Sequence, residues 1–251
     1  MDNSSYIEKA RSTVKRNLSI DDLIRKVITF IDSSEKSENT MFEAVYDLFF
    51  LYFPEAANIS QTKEAFINMT VHGVSRDEVA KTLGMSIDSM GYDLDDEDLQ
   101  LLSTVVNEIH NVHILLKIAG ERLEQIMLAN YVNVTKVCGY ELGARLISMG
   151  GGIKKLAYMP SSRIQVLGAD KSRFSQSEAR NPKYGIIFKH EKIENADQDL
   201  RGRSARIIAS KISMAAKLDL FSKKDKSGEL IADMNKELAN LKKHGTFKRN
   251  R

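Results

Sequence analysis

Tryptophan is absent from the 251-residue chain, cysteine occurs once and proline three times. The single thiol, Cys138, excludes an intramolecular disulfide, and no cysteine pair or quartet is present to build a zinc site. So few prolines leave long stretches without a helix breaker, and the abundance of Leu, Ile, Ala, Lys and Glu favours helices. No run approaches the roughly 20 uncharged apolar residues of a membrane span. The first thirty residues mix Lys, Arg and Asp without an apolar h-region, so no secretory signal is visible. With 42% hydrophobic and 28% charged residues, the chain can bury a core and is not disordered as a whole. These features describe an all-α protein of one large or two small domains. It is expected in the cytoplasm or otherwise inside the cell, not secreted and not in a membrane.

The net charge of +3 hides an asymmetry. Residues 1–130 carry 12 Lys/Arg against 22 Asp/Glu, a net of −10, whereas residues 131–251 carry 25 against 12, a net of +13. A basic half joined to an acidic one is the footprint of a module that neutralises phosphates with one face. An ordinary solvated basic surface is the plainer alternative.

Periodicity organises the acidic half. Residues 19–31 open with Ser19 as a cap and repeat apolar positions at helical spacing, and residues 40–53 read as a second, aromatic-rich helix stopped by Pro54. Residues 60–72 and 75–90 read as shorter helices, with Gly73 between them and Gly91 closing the second. The run from Asp93 to Asp98 then sets negative charge at the positive end of a long helix. Its seam is Leu102, Val105, Ile109, Val112, Leu116, Ala119, Leu123 and Ile126, at alternating spacings of three and four. Such a helix of ~30 residues is roughly 45 Å long, which calls for a helical partner. An antiparallel coiled coil within the chain is expected first, with pairing to a second copy as the other arrangement.

In the basic half, residues 139–149 read as helical and Gly150-Gly151-Gly152 interrupts them. Residues 153–157 resume the helix, Pro160 breaks it, and Ser161 or Ser162 can cap residues 163–168. Residues 174–184 read as an exposed loop, and 185–188 as a short apolar run. A helix over 200–220 follows, with Ile207, Ile208, Ile212, Met214, Ala215 and Leu218 on or near its buried side. Residues 223–251 form a basic tail with one weak amphipathic stretch.

Catalytic constellations are thin. The triple glycine followed by Lys154-Lys155 lacks the spacing of a phosphate loop and no strand precedes it. Glu108, His110 and His113 share a helix, but two histidines three apart without a third ligand fit a surface or seam better than a metal. Cys138 has no nearby His to activate it and suits a small buried position. The acidic run lacks a calcium loop's spacing and central glycine. No enzyme, metal or cofactor is expected.

Several linked motifs then point to a family. Glu141-Leu142-Gly143-Ala144-Arg145-Leu146-Ile147 is followed by the run from Leu156-Ala157-Tyr158-Met159-Pro160 through Gln165-Val166-Leu167-Gly168-Ala169-Asp170-Lys171. Pro182-Lys183-Tyr184-Gly185-Ile186-Ile187-Phe188 and the segment from Arg201-Gly202-Arg203 to Asp219 close the pattern, in an order that resembles the Nop domain. Upstream, Tyr52-Phe53-Pro54-Glu55 and Ser89-Met90-Gly91 with the acidic run are similar to the family's coiled-coil domain. Two departures stand out. Asp170 replaces the glutamate of the family's Gly-Ala-Glu-Lys, and Ser172-Arg173-Phe174-Ser175 replaces Ala-Leu-Phe-Arg.

The resemblance implies a long coiled-coil helical domain (19–130) after a short N-terminal segment (1–18), then a compact helical Nop domain (131–222) and the basic tail (223–251). It implies an RNA-binding scaffold of a box C/D or splicing-type small ribonucleoprotein, taking part in RNA processing. The Nop domain would dock on a kink-turn RNA already bound by a small ribosomal-protein-like partner, and the coiled coil would support self-association. The alternative is a coiled-coil protein–protein adaptor with weakened RNA binding. Archaeal members carry a further N-terminal α/β domain that recruits the methyltransferase fibrillarin. Only about twenty residues precede the first helix here, too few to bury a core, so direct fibrillarin binding is doubtful on this expectation. The residues expected at the RNA are Gln165, Gly168, Lys171, Arg173, Lys189, His190 and Arg203, followed by Lys154, Lys155 and Arg206. Gln165 and Lys171 flank the Gly168-Ala169 turn, where a minimal side chain lets backbone approach a ligand. Lys189 and His190 are expected to project, and Arg206 has Asp199 or Glu141 as competing partners.

Overall fold

A computed structural model describes residues 6–7, 18–169 and 185–249, and among them no strand occurs. The chain divides into two units, one of residues 29–120 and one that joins residues 1–28 to 121–251.

The acidic stretch Asp32–Asn39, read as a gap between two helices, is helical. One helix, α1, runs from Ile20 to Tyr52 without a break. The stretch contains no Gly or Pro, and the Ser37 and Thr40 hydroxyls donate back to the carbonyls of Ser33 and Lys36 at 3.0 Å each. Glu38 within it is 1% exposed, accepting from Lys63 Nζ and lying 3.0 Å from His113 Nδ1. Polarity here serves a buried contact rather than a turn.

Three short helices follow in the 29–120 unit: α2 (Pro54–Ile59), α3 (Lys63–Met69) and α4 (Arg76–Leu83). Thr62 caps α3, and Ser75 with Glu78 forms a reciprocal capping box on α4. The helix α4 ends at Gly84, in the left-handed region at φ 66°, and not at Gly91. Gly91 has another duty, because a Cβ there would lie 2.1 Å from the Tyr52 carbonyl oxygen. Arg76 fastens the same loop, donating to the carbonyls of Tyr52, Gly91 and Tyr92 and to Asp93.

The long helix α5 spans Asp96–Asn130, with three acids in its first turn and the Asp95 carboxylate accepting from Asp98 N. Its first turns share a core with the end of α1, where Phe49, Phe53 and Phe66 meet Leu102, Val106 and Ile109. The Glu38–His113 contact lies further back on α1 and further on along α5, so the two helices run antiparallel in this unit. Of the predicted seam, Leu102, Ile109, Leu123 and Ile126 are buried, and Val105, Val112, Leu116 and Ala119 are half-buried. Val106, one position off the seam, is also buried, while Ile114, Leu115 and Ile118 are exposed.

The second unit continues through α6 (Val132–Cys138), α7 (Tyr140–Gly150), α8 (Ile153–Tyr158) and α9 (Ser161–Gln165). A 3-10 turn (Ile186–Lys189), α10 (Glu191–Glu194), α11 (Gln198–Lys217), a π-turn (Leu218–Ser222) and α12 (Ser227–Arg249) complete it. Pro160 sets the start of α9, so Ser161 lies inside the helix and neither serine caps it. The axis of the unit is α11, packed against α6, α8, α9 and α12. Ile208, Ile212 and Ala215 face its core, whereas Ile207 and Leu218 are half-buried and Met214 is exposed. Lys211 on the same helix is 4% exposed and bridges to Asp233 at 2.5 Å and Glu237 at 2.6 Å. The stretch after Lys223 thus docks as a helix on α11.

Polar ties join distant segments of this unit. Asp21 accepts from the Tyr131 hydroxyl at 2.6 Å and from the Ile153 amide at 3.0 Å. Asp219 is buried and accepts from the Asn133 and Val134 amides, at 3.0 and 2.9 Å, and from Asn133 Nδ2 at 2.7 Å. Its position at the start of α6 suits a carboxylate.

Candidate nucleic-acid interface

The corner around Gln165 is assembled by backbone. After α9 the chain turns through Gly168, whose φ of 76° favours glycine and which is exposed. The Gly185 amide donates to the Gln165 carbonyl and the Ile186 amide to the Leu167 carbonyl, both at 2.8 Å. A side chain at Gly185 would lie 2.0 Å from the Leu167 oxygen. Gln165 itself is buried and donates from Nε2 to the Gly202 carbonyl at 3.3 Å, which ties α9 to the first turns of α11.

The elements that carry Gln165, Gly168 and Arg203 meet here, and the 3-10 turn that ends in Lys189 packs on both α9 and α11, with Arg206 a turn further along α11. Lys189 itself lines a cleft with Glu141, Arg145 and Glu194. Lys189, Arg203 and Arg206 are exposed, and no acidic partner engages them among the described residues. Glu141, a competing partner for Arg206, is taken by Arg145 at 2.9 Å. Lys171 and Arg173 lie outside the described residues. Lys154 and Lys155 are exposed on α8, and no contact ties them to the Gln165 corner. The Lys155 side chain lies back over Gly151 at the end of α7.

His190 packs where it was expected to project. A 3-10 helix repeats every three residues, so His190 shares the inward side with the fully buried Ile187. Its Nδ1 accepts from the Lys192 amide at 3.2 Å and starts α10, which leaves Nε2–H to donate to the Val137 carbonyl, also at 3.2 Å. Burial lowers its pKa and keeps the ring neutral. Arg201 is also structural, lying 5.3 Å over the Phe188 ring and donating to the Ala196 and Glu194 carbonyls.

Sequence reasoning missed Asn133 and Asp219 as the tie between the end of α11 and the start of α6. The only trace was an acid closing an otherwise apolar helix end. It missed Tyr158 and Phe221 as an exposed aromatic pair, because their partnership crosses from α8 to the π-turn. Cys138 is buried, and burial pushes its thiol up to about 12. His110 lies 3.1 Å from the Thr70 hydroxyl, and no His/Cys/Asp/Glu group that could hold a metal occurs among the described residues.

The family model described as Nop, snoRNA binding domain, fibrillarin, matches residues 30–242. An uncharacterised NOP5 family protein of Methanocaldococcus jannaschii is 31% identical over 89% of this chain and 58% of its own length. Nucleolar protein 58 of Schizosaccharomyces pombe is 28% identical over 82% of this chain and 44% of its own. Nucleolar protein 56 of the same yeast is 30% identical over 85% and 47%. The chain thus spans about half the length of these relatives. Among solved structures, a chain in the crystal structure of a fibrillarin/Nop5p complex matches with a TM-score of 0.58 and 20% identity, covering 96% of this chain and 80% of that one. This overturns the doubt over fibrillarin. That doubt rested on where the chain begins, whereas nearly its whole length has the fold of a chain crystallised in a fibrillarin complex.

Proposed function

Because the chain belongs to the Nop family, we propose that it is an RNA-binding scaffold of a box C/D-type small ribonucleoprotein. Its basic region, residues 131–222, docks on a kink-turn RNA that already carries a small ribosomal-protein-like partner. The observation that carries this is the corner where Gln165 ties α9 to α11, with Lys189, Arg203 and Arg206 exposed on the elements that meet there and without acidic partners among the described residues. Three exposed cations on the elements that meet at a glycine turn, without ion pairs among the described residues, suit phosphates approached by backbone. Neither the RNA nor the small protein alone covers the site, so assembly is sequential. Fibrillarin, found with Nop5p in the matching structure, joins the same assembly as a protein partner. Self-association through the coiled coil is supported by Ile114, Leu115 and Ile118, exposed on α5.

Fluorescence anisotropy on a kink-turn RNA, with and without the small partner, tests this. The preformed complex is expected to bind tightly and the naked RNA weakly, with affinity falling steeply with salt. Equal affinity for both overturns sequential docking, and no affinity for either leaves the adaptor.

A further inference from the structure

Tyr158 closes α8 and Phe221 stands in the π-turn after α11, yet both rings lie mostly in solvent, at 66% and 64% exposure. Their centroids are 5.9 Å apart and their planes meet at 83°, an edge-to-face pair. Folding ordinarily buries such area, and here it is presented. Lys154 stands one turn before Tyr158, Lys217 one turn before Phe221, and Lys223 and Lys224 follow directly; all four are exposed. Lys223 adopts a left-handed φ of 53°, so the chain turns away immediately after the aromatic.

Carboxylates near the two rings, in sequence or through the start of α8, are occupied. Asp219 is buried against the start of α6, Asp225 is held by Lys136 and Ser227, and Asp21 by Tyr131 and the Ile153 amide. Among the described residues no carboxylate pairs with these four lysines, so the pair is an apolar platform flanked by free ammonium groups. An apolar protein patch has no use for the lysines, whereas a nucleotide uses both features, its base stacking on a ring and its phosphate meeting a cation. Bases within a duplex are already stacked, so the ligand has to be unpaired. From Gly202 at the Gln165 corner to Leu218, α11 rises about 24 Å, so the platform is a separate point of contact.

We propose that Tyr158 and Phe221 form a stacking platform for unpaired nucleotides of single-stranded RNA, with Lys154, Lys217, Lys223 and Lys224 meeting the backbone. The proposal rests on the RNA-binding role above and adds to it a site for the strand that leaves the paired stem.

The probe is a short single-stranded RNA carrying one 2-aminopurine, titrated with the full chain at low salt. Binding should quench the probe, and Tyr158→Ala or Phe221→Ala should each weaken it about tenfold and abolish quenching. Tyr158→Phe, which keeps the ring, should retain both. Affinity for a blunt-ended duplex of two fully paired strands should not change in any variant, and circular dichroism checks that each folds. Quenching and affinity that survive both alanine substitutions overturn the proposal, as does single-strand binding without quenching. So does a loss of protein–protein association in the alanine variants with RNA binding intact, which would assign the pair to a protein partner. If the kink-turn complex binds but the probe shows no stacking, this inference alone falls. If the probe stacks but the kink-turn complex does not bind, the docking role alone falls.

Discussion

Residues 29–120 carry 5 Lys/Arg against 16 Asp/Glu, whereas the rest of the chain carries 32 against 18. The two units differ as much in what holds them. The acidic one is built on rings: Phe42, Tyr46, Phe49, Tyr52, Phe53 and Phe66 meet largely edge to face, backed by Leu102, Val106 and Ile109. The basic one has an aliphatic core crossed by buried polar ties at Asn133, Arg145, Gln165, His190, Lys211 and Asp219. A ring core depends on volume, and a tied core depends on every donor keeping its acceptor. The basic surface proposed for RNA thus rests on a scaffold that is polar even inside.

The largest expected break is on the acidic side. Phe49→Ala removes a fully buried ring and should cost about 4 kcal/mol in chemical denaturation, with the basic unit's transition unmoved. Next, Asp219→Ala strands the two buried amides of Asn133 and Val134 and leaves Asn133 Nδ2 only its bond to the Lys224 carbonyl, and should cost about 3 kcal/mol in the basic unit. If it costs nothing, the polar ties are decoration. Leu116→Asp enters a half-buried seam position and should cost about 1–2 kcal/mol, far below a fully buried site, by the same measurement. Arg203→Ala and Arg206→Ala should leave stability unchanged while each flattens the salt dependence of RNA-complex affinity by about one unit.

The smallest effect is the pH response. Burial first, and then the neighbouring His113, holds His110 below the ordinary histidine value of 6.5, and burial does the same to His190. Folding therefore favours the neutral rings. Their contribution is intact above about pH 6.5 and is lost as pH falls through each folded value, because the unfolded chain then binds more protons. His190→Gln should blunt this loss in the basic unit alone and His110→Gln in the acidic unit alone, read as denaturation midpoints between pH 7 and 5.

Much of this was legible in the sequence where one local signal decided the outcome. The seam of α5 was readable because burial on a helix follows spacing, and all eight positions are at least half-buried. Gly84 was overlooked in favour of Gly91 because both are plausible stops, and only the nearby Tyr52 carbonyl explains Gly91. The polar stretch at 32–39 misled because the partners of Glu38 lie on α3 and α5, far along the chain. His190 was misplaced because a 3-10 period, not a loop, sets its direction. The corner residues were named through motif order, yet their grouping depends on the bond from Gln165 to Gly202, which no spacing announces.

The bond from the Ile153 amide to Asp21 spans 132 positions of sequence. The acidic unit is continuous in sequence and nested inside that span. On a chain emerging from its N-terminus, residues 29–120 have every partner they need before Ile153 exists, whereas Asp21 has to wait. Asp219 reaches Asn133 later still, across 86 positions. Loop-closure entropy grows slowly with length, and a nested unit that has already folded shortens the effective loop. The connectivity predicts an order of assembly, with the acidic unit protected first and the Asp21 and Asp219 ties of the basic unit formed last, which pulse-labelled hydrogen exchange during refolding would read. On this order a newly made chain would present its acidic surface before its cationic one.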